Sequence, residues 1–459
     1  MHVQATTKKR VGKNLTEGTI WKVLLAFALP IILTNVIQQL YSMVDLMIAG
    51  KYVGAHGTIG VSVGGELADF ISPIAMALAS AGQIYIAQLV GARKDREVRE
   101  AVGTLLGLSL LVSFALAVLA IVFCDPFLRL MSCPEEGFSQ ARGYLIITAL
   151  GYPFIFGYNA VCGVLRGMGE AKRPLIFIIV AATVNIFADL LLVVVIPLEA
   201  VGTAIATVLS QVGSFAAAFY YMYKMRESFD FELKPSYFQV RAKPAKIIVK
   251  LAIPQIARSM LVRVSMLYVN ANCNAFGAVY SQTNSIGNKI QKFLEVFMQG
   301  IDSASAAMIG QNLGAEKKDR AAKTVWNTLW MAMAVACFAG ALSWLIPRQM
   351  FSLFTNEAEV IELGVTFLHI MTIHYFCSAF VGAFQSMVTG CGFVELGFAI
   401  GVLDGVICKI GFSLIFLNLL GVGQTSFWWG TAVSRFLPGC LCLWYFLSGK
   451  WKTRKRLSD

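Results

Sequence analysis

Charged residues are scarce in this chain, because they make up 14% of its 459 residues while hydrophobic residues make up 57%. A soluble domain normally carries about a quarter charged residues, so a water-soluble fold is excluded. Twelve mostly apolar runs exceed the ~20 residues that a membrane-crossing helix needs, and they are too long for barrel strands. The sequence therefore predicts an all-α integral membrane protein. The predicted spans are 21–48, 58–86, 100–123, 141–165, 174–197, 200–223, 247–276, 283–308, 322–346, 360–386, 394–419 and 426–448.

The signatures of enzymes are also missing. No HExxH, GxSxG or nucleotide-loop motif stands in the context that its chemistry requires, which argues against an enzyme and against an ATP-driven pump. The ten cysteines contain no CxxC pair and lie mostly in apolar runs, so we interpret them as small apolar residues. No repeated filter or charged ring indicates a passive channel. The sequence predicts no cofactor.

Basic residues alternate between the loops. If both termini are cytoplasmic, the inner loops and terminal segments carry most of the lysines and arginines. The outer loops contain only Lys51, Arg129, Arg142 and Arg348. This is the positive-inside pattern, which fixes the orientation and supports the helix count. The net charge of +12 thus reflects orientation in the plasma membrane and does not indicate nucleic-acid binding.

The chain contains an internal repeat. "AQLVGARKDREVREAV" after the second span returns as "GQNLGAEKKDRAAKTV" after the eighth, with Gln88 and Gln311 223 residues apart. Six spans are therefore duplicated in parallel, an arrangement typical of transporters that work by alternating access. The predicted parts are a cytoplasmic segment 1–20, an N-lobe 21–223, a cytoplasmic linker 224–246, a C-lobe 247–448 and a cytoplasmic tail 449–459.

Over about residues 16–448 the chain resembles the multidrug and toxic compound extrusion (MATE) transporters. The resemblance rests on the twelve spans, the "GQNLGA" type loop in both halves, "VDLMIAG" fifteen residues after a proline, and "RGMGEAKRP" before the fifth span. It implies export of amphipathic, mostly cationic compounds in exchange for protons or sodium ions, and we expect a monomer. Lipid-linked oligosaccharide flippases share the wider superfamily and remain the alternative, although they would require a cavity rich in cations.

The resemblance also implies a cation-binding cluster in the N-lobe. The matching positions are Asp45, Asn185, Asp189 and Thr207, with Thr203 a weaker candidate than Thr207. Pro30 matches the proline whose kink is thought to move the first helix; a static kink that only improves packing is the alternative.

The residues themselves support such a cluster. Asn185 and Asp189 are four apart and share a helix face, and helix lengths bring Asp45 to a similar depth. Two carboxylates in a low dielectric cannot both ionise comfortably, so one should hold a proton at neutral pH. The same oxygens suit a sodium ion. The alternative is that the acids only hydrogen-bond neighbouring hydroxyls and join helices.

The C-lobe has no counterpart of this acidic cluster, since the positions equivalent to Asp45 are Tyr268 or Val269. The sodium-coupled branch of the family uses acids on the seventh and tenth spans. Here the seventh has none and the tenth has only Glu362 at its outer start. These differences place coupling in the N-lobe and favour protons over sodium.

Further polar residues are candidates for the substrate cavity: Glu66, Asp69, Lys292 and Glu295. Lys292 and Glu295 are three apart, so we expect an internal ion pair, with substrate contact as the alternative. His369 and His374 are five apart, which favours ordinary buried histidines over a proton relay.

The 32 phenylalanines and 17 methionines suit promiscuous binding of cationic amphiphiles, although most must face lipid or the core. The remaining charged residues noted in the C-lobe spans are Lys289, Asp302, Asp404 and Lys409.

Overall fold

The computed structural model describes residues 12–225 and 234–457. Parts of the predicted segment 1–20 and linker 224–246, and the end of the tail, lie outside these ranges. Within them all regular structure is helical, which confirms the all-α class. The α-helices are α1 Ile20–Tyr52, α2 Ala55–Gly91, α3 Asp95–Val122, α4 Cys124–Leu130, α5 Glu135–Gly167, α6 Lys172–Asp189, α7 Glu199–Lys224, α8 Ala242–Ala275, α9 Ala278–Gly314, α10 Lys318–Leu345, α11 Pro347–Ser352, α12 Ala358–Cys391, α13 Val394–Val402, α14 Cys408–Leu414, α15 Ser426–Val433 and α16 Phe436–Leu447.

These helices form the twelve predicted passes. In the described part of the chain, nine passes are apolar and long enough to cross a membrane by length and composition. The other three are α8, α9 and the α15–α16 pair. Helices α8 and α9 carry more polar side chains, and the last pass is interrupted between α15 and α16. Charged and polar side chains at these places indicate surfaces that face protein or water rather than lipid.

Two of the described passes contain π-helical turns, one turn in the first unit and two in the second. Helix α6 continues as the π-helix Leu190–Val195, α13 and α14 are joined by Leu403–Ile407, and α14 continues as Ile415–Leu419. The sequence predicted uninterrupted spans here and could not show the wider turns. Such turns occur frequently at functional sites. One of them begins directly after Asp189 and another contains Asp404.

The first compact unit comprises 1–14 and 33–252, of which residues 12–14, 33–225 and 234–252 are described. In it α2 packs along α5, which also contacts α3 and α7, and α6 packs on α7. Glycine permits the closest approach, because a Cβ at Gly163 would lie 2.5 Å from the carbonyl oxygen of Ala79. The stretch "GVSVG" at 60–64 lies inside α2, which is not the strand-to-helix turn that a nucleophilic serine needs.

The second unit comprises 15–32 and 253–459, described to residue 457. Helix α12 lies at its centre and contacts α9, α10, α15 and α16. Its outer core is aromatic: Tyr280 stacks on Trp428 with ring centroids 4.3 Å apart, and Phe367 meets Trp428 edge-on. The Tyr280 hydroxyl also donates to the carbonyl of Gln424. A buried tyrosine or tryptophan requires such a partner for its polar atom.

The segment before α1 is fastened to the second unit. The Leu15 N–H donates to Oε1 of Gln311 at 3.2 Å, and the Lys317 ammonium donates to the carbonyl of Thr16 at 2.9 Å. Arg320 donates to the carbonyls of residues 17 and 18. These contacts group residues 15–32 with the C-lobe, whereas the sequence assigned 21–223 as a whole to the N-lobe.

The border between the two units falls inside α1. It lies between Ile32 and Leu33, two residues beyond Pro30. Helix α1 nevertheless continues through the proline without interruption. A proline has no N–H for the carbonyl four residues earlier, so this point is a weak place in the helix. The weak place and the border of the units therefore nearly coincide.

Candidate functional site

Two acids in the first unit face each other. Asp45 extends from α1 and Asp189 ends α6, and their carboxyl groups lie in hydrogen-bonding contact. Asp189 is fully buried. Among the described residues, neither oxygen of Asp189 nor Oδ1 of Asp45 receives a hydrogen bond from a donor. Two ionised carboxylates would repel each other at this contact, so the arrangement requires a shared proton or a bound cation.

Asn185 adds a fourth oxygen that has no donor among the described residues. It lies one turn before Asp189 on α6, is buried, and its Oδ1 has no donor among the described residues. A buried oxygen without a donor is costly unless a ligand supplies the missing partner. Asn185 and Asp189 thus present acceptors on one helix face, as the sequence indicated.

Two tyrosines that the sequence analysis overlooked surround the acids. Tyr41 lies one turn before Asp45 and hydrogen-bonds the side chain of Gln211 on α7. Tyr144 of α5 lies within electrostatic range of Asp45, Asp189 and Asp69. The spacing of four between Tyr41 and Asp45 could have revealed the first. Tyr144 carries no such signal, because a tyrosine in an apolar span is equally consistent with ordinary core packing.

The two threonines of α7 differ. The Thr203 hydroxyl donates to the carbonyl of Ala200 at 2.8 Å, within its own helix. Thr207 is half-buried and lies one turn before Gln211, the residue that contacts Tyr41. The geometry therefore favours Thr207 over Thr203, and its membership of the cluster stays a prediction.

The two acids of α2 are more open than the pair. Asp69 is exposed and Glu66 is half-buried. Asp69 lies within electrostatic range of Tyr144, as Asp45 and Asp189 do. Both are placed where a solvated substrate could reach them, and their role in the cavity stays a prediction.

In the second unit, the expected pair of Lys292 with Glu295 is wrong. Glu295 is buried and contacts Nη1 of Arg435 at 3.1 Å and Nε2 of His374 at 2.5 Å, both through Oε1. The Lys292 side chain is exposed. Because a buried carboxylate loses its hydration, it takes the cations that are buried with it, and the exposed lysine stays with water or lipid head groups.

His374 is doubly engaged. Its Nδ1 lies 3.1 Å from the carbonyl oxygen of Thr431, and its Nε2 faces Glu295. Both ring nitrogens of this buried histidine therefore have a polar partner. His369 instead stacks on Trp344 with centroids 4.0 Å apart.

Asp404 continues this network. Its carboxylate lies 3.0 Å from Nη2 of Arg258 and 3.8 Å from Nε of Arg435. Asp302 and Lys409 lie within electrostatic range of Arg435. Arg258 and Arg435 were overlooked, although a charge inside an apolar span is the signal that identified Asp45. We call this group the C-lobe charge cluster: Arg258, Glu295, Asp302, His374, Asp404, Lys409 and Arg435.

Two helical repeats with buried charges in each define a membrane transporter of the parallel-repeat class. The MatE family model matches this chain twice, at residues 30–191 and 254–415. The chain belongs to the MatE family, the MATE transporters that the sequence resembles. The two matched segments have the same length and lie 224 residues apart, which confirms the duplication.

Known proteins resemble the chain over nearly its whole length. The probable multidrug resistance protein YoeA of Bacillus subtilis (strain 168) is 24% identical over 465 residues, covering 99% of both chains. A MATE solved in the straight conformation has a TM-score of 0.91 at 19% identity, covering 98% of this chain and 100% of that one. A MATE in the bent conformation has a TM-score of 0.89 at 19% identity, covering 98% and 99%. These likenesses support the twelve-pass, two-lobed fold.

Proposed function

We propose that this protein is a secondary antiporter that exports amphipathic, mostly cationic compounds in exchange for protons by alternating access. Membership of the MatE family and a relative named as a probable multidrug resistance protein support export of drugs and toxins. The basic inner loops support a plasma-membrane orientation with both termini in the cytoplasm. The transporter works as a monomer, with lipid around it and no cofactor or nucleic acid.

The observation that carries this proposal is the contact between Asp45 and Asp189, in which three of the four carboxyl oxygens have no donor among the described residues. In the proton-loaded state, one shared proton holds the two carboxyls together. When the proton leaves, the two negative charges repel and attract a cationic drug. Drug and proton therefore exclude each other, which is the requirement for exchange.

Protons are preferred over sodium as the coupling ion. Glu295 and Asp404 in the second unit each have an arginine within 4 Å, so these acids are compensated and do not offer a sodium site. In the first unit, a sodium ion would find two carboxylates and the Asn185 amide. A proton requires only the two facing carboxyls, whose mutual repulsion it removes.

Pro30 supplies the moving part in this proposal. The border of the compact units lies two residues beyond it, and Asp45 lies on the same helix fifteen residues later. If Asp45 changes partners on protonation, α1 bends at Pro30 and reshapes the drug site. Related MATE structures named for a straight and a bent conformation support a change of shape in the family.

A lipid-linked oligosaccharide flippase is the competing function. Its pyrophosphate substrate would require several free cations. Arg258 and Arg435 are already paired with carboxylates, and the acids of the first unit would repel such a substrate. These charges support a cationic cargo.

Efflux from liposomes with separately imposed gradients tests the proposal. We expect an imposed proton gradient to drive transport of a fluorescent organic cation in the direction opposite to proton flow. A sodium gradient at constant pH should leave the rate of this transport unchanged. Asp125→Asn is the matched control, because Asp125 is half exposed and paired with Arg142 outside the pair of acids. Transport driven by sodium alone would overturn the proton proposal, and transport of an anionic lipid but not of cations would favour the flippase.

A further inference from the structure

Lys409 is a buried basic residue whose side chain contacts no acceptor among the residues that the structure describes. Its side chain extends from α14 and the residue is 7% exposed. Within the described ranges, its ammonium has neither a hydrogen bond nor an ion pair within 4 Å, although Asp404 and Glu295 act on it electrostatically from farther away. Because a buried ammonium normally has an acceptor in contact, this arrangement points to a missing ligand.

Lys409 borders a cavity that lies wholly inside the second unit. The cavity is small, with room for a single small ligand, and it is partly open to solvent. Asn270, Asn284 and Asn288 line it together with Trp428. The rest of the wall is formed by the apolar side chains of Met266, Val269, Phe367 and Met371, and by Thr431.

The hydrogen bonds around this cavity orient a donor beside it. The Trp428 indole can only donate, and it donates to Oδ1 of Asn284 at 3.2 Å. The Asn284 amide therefore uses its NH₂ group to donate to Oδ1 of Asn270 at 2.9 Å. As a result Asn270 keeps its own NH₂ group for a ligand. An ammonium and an amide NH₂ at one small cavity are donors that suit an anion.

The balance of charge points the same way. The C-lobe charge cluster holds three basic side chains, Arg258, Arg435 and Lys409. Two of its carboxylates are in contact with the arginines, Asp404 with Arg258 and Glu295 with Arg435. Within the described ranges Lys409 is thus left without a carboxylate in contact, which is costly for a buried cation.

We propose that this cavity binds a single small monovalent anion, chloride, between the Lys409 ammonium and the Asn270 amide. A halide needs few donors and tolerates the apolar wall that methionine and phenylalanine form. A phosphate or sulfate would need more donors for its several oxygens. The bound anion neutralises the cluster and stabilises the second unit, and it does so whether or not the coupling proposal above is correct.

Thermal unfolding of the purified protein in detergent tests this site without any transport assay. Chloride is titrated against gluconate, which is too large for the cavity, at constant pH and ionic strength. We expect the Tm to rise and saturate with chloride in the wild type, because a ligand of the native state shifts unfolding. The rise should vanish in Lys409→Met and persist in Lys323→Met, which removes an exposed lysine of α10.

Two further measurements keep the proposal falsifiable if Lys409→Met does not fold. Asn270→Leu removes the amide donor and keeps every charge, so it should require a several-fold higher chloride concentration for half of the Tm shift. Crystals of the wild type soaked in bromide should show anomalous density between Lys409 and Asn270. A Tm that is equal in chloride and gluconate, or bromide density only elsewhere, would overturn the proposal. A response to formate but not to halides would overturn chloride as the ligand.

Discussion

The two units hold their buried acids in different electrostatic surroundings. In the first, Asp45 and Asp189 contact each other, and three of their four carboxyl oxygens receive no hydrogen bond from any residue that the structure describes. In the second, Glu295 and Asp404 each contact an arginine, and Glu295 also contacts His374. The repeats that the family model matches have thus diverged in how they meet the cost of buried charge. The proposed coupling depends on this contrast, because Glu295 and Asp404 have fixed cations in contact whereas the pair of acids in the first unit would take its compensating ion from solvent.

The largest effect is expected from Asp45→Asn. The change keeps the shape and hydrogen-bonding capacity of the side chain and removes its titration. We expect gradient-driven efflux to fall to the level of protein-free liposomes, while the yield and monodispersity of the purified protein stay normal. Asp125→Asn should transport at the wild-type rate. Near-normal efflux by Asp45→Asn would contradict a coupling role for the acids of the first unit.

Glu295→Gln should instead act on stability. It leaves His374 and Arg435 without their shared carboxylate, and breaking a buried ion pair costs about 3–5 kcal/mol. Unfolding in detergent, followed by circular dichroism, measures the loss. Glu362→Gln is the control, because Glu362 and Arg348 form a mostly exposed pair worth at most about 1 kcal/mol. Equal stability of Glu295→Gln and the control would contradict a structural role for the C-lobe charge cluster.

Pro30→Ala should reduce turnover several-fold and affect equilibrium drug binding less. It restores the hydrogen bond to the Ala26 carbonyl and strengthens the helix where a bend is proposed. The repeat offers its own control, because Pro254 lies inside α8 at the equivalent place. Initial rates of dye efflux are measured for Pro30→Ala and Pro254→Ala, and drug binding is followed by fluorescence polarisation. The hinge proposal requires the larger rate loss for Pro30→Ala, and equal losses would leave only a static kink.

The smallest effect is expected from the threonines of α7. Thr207→Ala should raise the proton concentration that gives half-maximal efflux roughly two- to tenfold, because one hydrogen-bonding oxygen is lost. Thr203→Ala should change it less, because the Thr203 hydroxyl already donates to the carbonyl of Ala200. The half-saturating proton concentration for efflux is measured in both. A larger shift in Thr203→Ala would reverse the order of the two candidates.

The sequence was sufficient wherever one residue conflicts with its surroundings. Asp45 and Asp189 could be identified because a carboxylate in an apolar span is expensive, and their spacing implied a common depth. The same cost of burial would also have identified Arg258 and Arg435. The sequence could not show which cation pairs with Glu295, because Lys292 is closer to it along the chain but Arg435 is buried beside it.

Other features leave no local trace in the sequence. Tyr144 approaches the acids from α5, and nothing in its own span distinguishes it from a core tyrosine. The grouping of residues 15–32 with the second unit depends on contacts with Gln311 and Lys317, about 300 positions away. Hydropathy reports where a span lies and carries no information about which bundle receives it. The π-helical turns after Asp189 and around Asp404 likewise follow from packing.

The fastening of Leu15 and Thr16 also imposes an order on biosynthesis. Their hydrogen-bond partners, Gln311 and Lys317, are synthesised 296 to 301 residues later. At a translation rate of about 5–20 residues per second, that interval is roughly 15–60 s. During this time the first helix resides in the bilayer with its amino-terminal anchor unformed. Its docking is therefore among the later steps of folding, and a nascent chain stalled before residue 311 should leave this segment open to protease.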